Sequence, residues 1–152
     1  MKMFWPLAVM IICGIMVWRA HPTQAAPRAM AEGHASAAQA GAPLPSPGRL
    51  GSEEALKLID RLGQGLTIID VRTEEEFNQG HIPNAKLSPL QTLQSDLARI
   101  PKNVPILLVC RTGRRAAAAY DIMRKAFPDN KEAIWFLDGT PEYHKDGAFT
   151  FR

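Results

Sequence analysis

Cysteine is almost missing from this 152-residue chain, which carries two, Cys13 and Cys110. Cys13 lies inside an N-terminal apolar run, so the two are not expected to meet, and the folded part then holds no internal disulfide. A single thiol in such a setting is either reactive or a liability. Histidine numbers four, and no His/Cys cluster has ligand spacing, so no metal or organic cofactor is implied. His21 and His34 read as solvated linker residues. A large excess of one charge is lacking as well. The net +3 of the whole chain falls to +1 over residues 49–152, where 15 Lys and Arg face 14 Asp and Glu. Positive residues cluster there only around Cys110, and no nucleic-acid stripe is visible. No internal repeat is visible either.

The one long apolar run stops short of a comfortable bilayer span. Residues 3–18 sit between Lys2 and Arg19, and at helical rise they cover about 24 Å against a hydrocarbon core of roughly 30 Å. Two readings follow. As a cleaved signal, the run is followed by small-residue sites at Thr23-Gln24-Ala25 and at Ala29-Met30-Ala31. As a retained anchor, it is bracketed by Trp5 and Trp18 in the manner of an aromatic belt. Lys2 with the amino terminus balances Arg19 and Arg28, so charge does not orient a retained anchor. A basic start, an apolar run and small residues nevertheless have the export layout, and they predict a domain that is exported, periplasmic or membrane-anchored, with membrane contact through residues 1–19 where the run is kept. Residues 20–48, rich in Ala and Pro without apolar periodicity, are expected to form a disordered tether. Its mean reach is about 30 Å, by the square-root scaling of flexible chains.

About a hundred residues remain, near the commonest domain size. Over 49–152 the pattern alternates. A capped helix is expected from Ser52, ending at Gly63 and Gly65. A buried strand follows over 66–70, then a short helix opened by the Thr73/Glu76 capping box and carrying Phe77. Gly80 to Ala85 is turn-rich and leads to a short strand at Lys86 and Leu87. A helix over 89–98, a strand at 106–109, a helix over 116–127 and a strand over 133–137 come next. A last short helix is predicted near Glu142. Strands alternating with helices predict an α/β fold, a small and mostly parallel sheet flanked by helices. Ligands in such folds bind beyond the carboxyl ends of the strands.

Cys110 falls at such an end, in PILLVCRTGRR at 105–115. The strand delivers it to a helix N-terminus, where unpaired N–H groups and the positive helix end favour a thiolate. Arg111, Arg114 and Arg115 add positive charge, and the same field suits an anionic substrate. A purely structural core cysteine would instead be flanked by apolar residues.

Four fragments occur in one order: IDVRTEEEF at 69–77, GHIPNA at 80–85, CRTGRR at 110–115 and LDG at 137–139. In order and spacing they resemble the rhodanese, or sulfurtransferase, family over residues 49–152, as a single rhodanese-like domain. The loop Cys110 to Arg115 is Cys-x4-Arg, the length that in this family is sized for sulfur. The phosphatases and arsenate reductases of the same fold use Cys-x5-Arg. The resemblance implies a small anionic sulfur donor such as thiosulfate, a persulfide on Cys110, and a thiol or cyanide acceptor, with a protein acceptor as a further partner. It implies donor binding and loop bracing by Arg111 and Arg115, and backbone N–H groups from Thr112 and Gly113. Arg114 stands where Asn is common in the family, making the mouth more basic. Asp70 and Arg72 match a supporting pair near the loop, the alternative being an exposed salt bridge. A persulfide carrier or protein-interaction module with little turnover is the competing reading. His81 is expected to be a structural hydrogen-bonder and His144 a surface helix residue. Of the family's Gly-Gly step only Gly139 is kept, Thr140-Pro141 standing in place of the second Gly, and Tyr143-His144 fill the region of the family's Trp-bearing helix, which bears on pocket shape.

Overall fold

The computed structural model describes residues 43–144 and 147–152. The apolar run at 3–18 and most of the tether lie outside them. Among the described residues no helix is long and apolar enough to cross a membrane.

Five short strands build the central sheet: β1 (Gly48–Leu50), β2 (Thr67–Asp70), β3 (Lys86–Leu87), β4 (Ile106–Val109) and β5 (Ile134–Leu137). Their order is β1-β5-β4-β2-β3, and every pairing is parallel. β4 lies in the middle, and all four of its residues are buried. That is why it reads as an unbroken apolar run: a parallel strand is covered on both faces and has no solvent side on which to place polar residues.

Two apolar layers sandwich the sheet. Helix α1 (Ser52–Leu62) lays Ala55 and Leu58 on one face, against Leu107, Val109, Trp135 and Leu137. Helix α4 (Arg114–Ala126) lays Ala116, Ala119, Tyr120 and Met123 on the other, against Ile106, Leu108 and Ile134. Those four α4 positions follow the three-and-four spacing of one helical face. Along β4 the side chains alternate between the layers, as the two-residue period of a strand demands. Cys110 continues the parity of Ile106 and Leu108 and so packs in the α4 layer. The sulfur's direction is thus set by strand register.

Several elements depart from expectation. α1 is capped at Gly51 rather than Ser52, and the Gly51 N–H donates to the Glu54 carboxylate at 3.0 Å. The helix expected over 89–98 shrinks to α3 (Leu93–Asp96) and a three-ten turn at Leu97–Arg99. There Ser88 and Thr92 hydroxyls donate to the Asp96 carboxylate, tying down the entry with side chains that compete with helix. α4 begins at Arg114, two residues earlier than expected. The fold also begins before residue 49. Gly48 opens β1, and the indole N–H of Trp135, on β5 next to that edge strand, donates to the Pro45 and Ser46 carbonyls at 3.2 and 3.0 Å.

The helix predicted near Glu142 does not form. In its place β6 (Pro141–Tyr143) pairs antiparallel with β7 (Phe149–Phe151). Tyr143, Phe149 and Phe151 turn towards the α1 layer, and Thr140 and Arg152 exchange backbone hydrogen bonds at 2.6 and 2.9 Å. Cross-strand pairing and aromatic burial outweigh local helix preference in so short a segment.

Candidate active site

The loop from Cys110 to Arg115 leaves β4 and turns directly into α4. Gly113 makes the turn, with φ +81° in the left-handed region. A Cβ there would stand 2.7 Å from Asp138 Oδ1 and 3.1 Å from the Leu137 carbonyl, so the loop lies directly on the end of β5. The consequence is at the sulfur. Cys110 is 1% exposed, and its Sγ accepts a hydrogen bond from the Ala116 N–H at 3.4 Å, in the first turn of α4. A 13-residue helix thus points its positive end at the thiol.

The arginines of the loop divide. Arg115 is tied by two hydrogen bonds, 2.6 and 2.8 Å, to the carboxylate of Glu76. Glu76 sits in the first turn of helix α2 (Glu74–Asn78) and closes its capping box, taking the Thr73 N–H while its own N–H donates to Thr73 Oγ1. The hydrogen bonds from Arg115 hold the Glu76 carboxyl down at about 2, against the opposing effect of burial. Arg111 and Arg114 are exposed and, among the described residues, stand in no ion pair. Arg115 thus ties the loop to the helix that carries Glu76, while Arg111 stays exposed. Thr112 is exposed.

Asp70 and Arg72 are no surface pair. Their side chains are 0% and 7% exposed. Asp70 accepts from the Arg72 backbone N–H, twice from Nε, and from Nη2 at 2.6 Å, and Arg72 Nη2 also donates to the Gly80 carbonyl at 2.7 Å. Burial opposes the charge on Arg72, but hydrogen bonding to Asp70 and the Asp70 charge outweigh it, so its net shift is upward. Both Asp70 oxygens accept and Arg72 Nε and Nη2 both donate, the kind of dense bonding under which a buried ion pair is tolerated. The guanidinium then lies 4.8 Å from the ring centroid of Tyr143 on β6.

These parts enclose an open cleft of about 400 Å³, lined by Arg72, Glu76, Gln79, Arg111, Thr140, Pro141 and Tyr143. Cys110, next to Arg111 in the chain, is buried. Of the lining residues, only Arg72 and Arg111 were expected as site residues; Thr140, Pro141 and Tyr143 were expected to bear on pocket shape, and Glu76 and Gln79 were not singled out for the site. Glu76 was visible only as a helix cap, although its distance of 39 positions from Arg115 hides the contact. Tyr143 was assigned to a helix, where the strand alternation Pro141, Tyr143 against Phe149, Phe151 was the available signal. His81 does what was expected: the Phe77 carbonyl accepts from its Nδ1 at 3.0 Å, and its ring stacks on Phe77. His144 is exposed and follows β6 instead of lying in a helix. Among the described residues no group of His, Cys, Asp and Glu could hold a metal ion.

Comparison with known proteins is consistent with this geometry. The chain is 34% identical over 74 residues to a putative sulfur carrier protein of Bacillus subtilis, covering 49% of this chain and 40% of that protein. It is 34% identical over 59 residues to a sulfurtransferase of Allochromatium vinosum, covering 38% of this chain and 55% of that one. The chain therefore spans about half or less of each. Among solved structures, a rhodanese-related protein from Thermoplasma volcanium shares the fold with TM-score 0.50 at 21% identity, covering 60% of this chain and 84% of that one. A family model described as the rhodanese-like domain matches residues 52–142, which is more than half of the sequence and includes the Cys110 loop, and the chain accordingly belongs to the rhodanese-like domain family.

Proposed function

We propose that this protein is a sulfurtransferase that carries sulfane sulfur on Cys110. The observation that carries the reading is the Cys110 sulfur held by the Ala116 N–H at the head of α4, inside a Cys-x4-Arg loop. Sulfur chemistry in the printed names of the curated relatives supports it. In the first step the Cys110 thiolate attacks the outer sulfur of a thiosulfate-like donor. The donor's S–S bond breaks, sulfite leaves with the electron pair, and a persulfide forms. In the second step a thiol or cyanide attacks the outer sulfur and the Cys110 thiolate is restored. Splitting the transfer into two displacements is the benefit of a covalent intermediate. Backbone N–H groups at the loop and the unpaired Arg111 and Arg114 offset the negative charge that develops on the leaving group. Asp70, Arg72, Glu76 and Arg115 hold the frame.

Incubation with thiosulfate followed by intact mass measurement tests the first step. One added sulfur, about 32 Da, that disappears in Cys110→Ser establishes covalent catalysis at this residue. An unmodified wild-type mass excludes thiosulfate as donor. The name of the Bacillus relative favours a second reading, a carrier loaded by a partner protein. It is distinguished by a stoichiometric persulfide combined with slow turnover to cyanide. We also propose that residues 1–19 export or tether the domain, since Lys2, the apolar run and the small residues after it have the order of an export signal. Fractionation of the native host tests this, and full-length protein in the cytosolic fraction overturns it.

A further inference from the structure

Tyr143 carries the one buried side-chain polar atom without a hydrogen-bond partner among the described residues, its hydroxyl. Buried hydroxyls are satisfied as a rule, and an orphan calls for an explanation such as a missing ligand. The orphan here is not loosely held. Its ring lies under the Arg72 guanidinium. Its Cβ is packed on Gly80, where an added Cβ would stand 2.8 Å away at φ +154°. β6 is held by three pairings to β7. The side chain therefore cannot swing to find water, and its direction is imposed by the backbone around it.

The hydroxyl is also in the right company. Arg72, Asp70, Cys110 and Glu76 all act on it electrostatically, and the residue walls the cleft with Arg111. Of the charged groups around that cleft, Arg72 is matched by Asp70 and Glu76 by Arg115. The charge left over is that of Arg111. Burial pushes the Tyr143 phenol up to about 12, so it remains a donor throughout the physiological range. One unmatched cation and one idle O–H donor, both carried by residues of one cleft wall, make a receptor for an anion with oxygen acceptors once the anion displaces the packing over the hydroxyl. The volume, about 400 Å³, is in the range of small-molecule pockets and exceeds what an inorganic anion fills.

We propose that Tyr143 is a substrate-binding residue: its hydroxyl donates a hydrogen bond to the sulfonate oxygens of a thiosulfonate-type donor, whose charge is met by Arg111. The assignment deepens the sulfur-transfer reading above and rests on it for the identity of the donor. Recognition of the oxyanion end leaves the outer sulfur free for Cys110. The chain differs here from the pattern it resembles, because Thr140-Pro141 stand in place of the second Gly of a Gly-Gly step and Tyr143 lies where a Trp-bearing helix would be. Donor preference is thereby placed on β6 rather than on the loop alone.

The test uses the full-length chain, with sulfate as an unreactive oxyanion. Alkylation of Cys110 by iodoacetamide is followed by peptide mass spectrometry, which separates it from Cys13, at increasing sulfate and constant ionic strength. Sulfate is expected to slow the wild type. In Tyr143→Phe the sulfate concentration giving half-protection should rise at least tenfold, each variant being compared with its own unprotected rate. The same variant should take up sulfur from thiosulfate at least tenfold more slowly at sub-saturating donor. Its melting temperature should not fall, because the lost hydroxyl has no partner. Equal half-protection in both proteins overturns the proposal, as does a wild type that sulfate does not protect. A Tyr143→Phe that melts well below wild type overturns it too, since the hydroxyl then has a structural partner. A wild type that gains no sulfur from thiosulfate but shows Tyr143-dependent protection removes thiosulfate as the donor and keeps Tyr143 as an oxyanion ligand.

Discussion

Two carboxylate–guanidinium pairs stand beside the Cys110 loop, and they differ in how much water reaches them. Asp70–Arg72 is 0% and 7% exposed, while Arg115–Glu76 is 28% and 26% exposed. The first joins residues two apart at the end of β2. The second joins residues 39 apart and fastens the loop to α2. Taking charge out of water is costly, so the inner pair is tolerated only because Arg72 meets Asp70 through three side-chain contacts and its own backbone N–H. The outer pair keeps part of its hydration and needs fewer contacts. The inner pair therefore controls whether this end of the sheet exists, and the outer pair controls where the loop sits.

Breaking the inner pair gives the largest expected effect. Asp70→Ala leaves Arg72 buried and unmatched, at a cost of about 3–5 kcal/mol. For a domain near 100 residues that is a fall in melting temperature on the order of 10–30 °C. Calorimetry checks it, and a fall of only a degree or two would show that water reaches Arg72. The double variant Asp70→Leu with Arg72→Met removes both charges and should recover part of the loss. No recovery would mean that the Gly80 carbonyl, left without its donor, dominates.

The outer pair predicts a smaller effect with a pH signature. Glu76→Gln keeps a cap for the Thr73 N–H but loses the charge opposite Arg115, costing about 1 kcal/mol, since the pair is partly hydrated. The carboxyl is depressed from 4.5 to about 2, so its contribution is complete above pH 4.5. It is lost as pH falls through about 2. The difference in melting temperature between wild type and variant should therefore shrink steadily across that window. A difference that stays constant down to pH 2 would locate the effect in the cap alone.

The contrast also shows what a sequence can and cannot carry. The run Ile106–Val109, the α4 face and the Thr73/Glu76 box are local patterns with the period of one element, and each was legible. Cys110 was legible because its flanks, Arg, Thr and Gly, are wrong for a core. Contacts across 39 residues leave no local trace, so Glu76 looked like nothing more than a cap. The β6–β7 hairpin was missed for a related reason. Tyr143 is placed by Phe149, Phe151, Gly80 and Arg72, all of them distant in sequence or outside its own strand. The depth of Asp70 and Arg72 is likewise a property of the packed sheet end and not of the Asp-Val-Arg triplet.

Arg111 sharpens the comparison from the other side, because it has no carboxylate at all. It is exposed and stands in no ion pair among the described residues, so Arg111→Ala should leave stability within about 0.5 kcal/mol of wild type. On the proposed sulfur-transfer function its effect belongs to the approach of the donor. A charge that meets an anion across water is screened over about 10 Å at 0.1 M salt and about 3 Å at 1 M. Sulfur uptake from thiosulfate by the wild type should therefore slow as salt rises, and uptake by Arg111→Ala should start slower and depend less on salt. Arg115→Ala must behave differently: it removes the partner of Glu76, lowers the melting temperature, and leaves a free carboxylate on the cleft wall, so uptake should start slower and recover as salt screens the repulsion. If the two variants lose stability alike, Arg111 is a brace and not the free cation of the cleft.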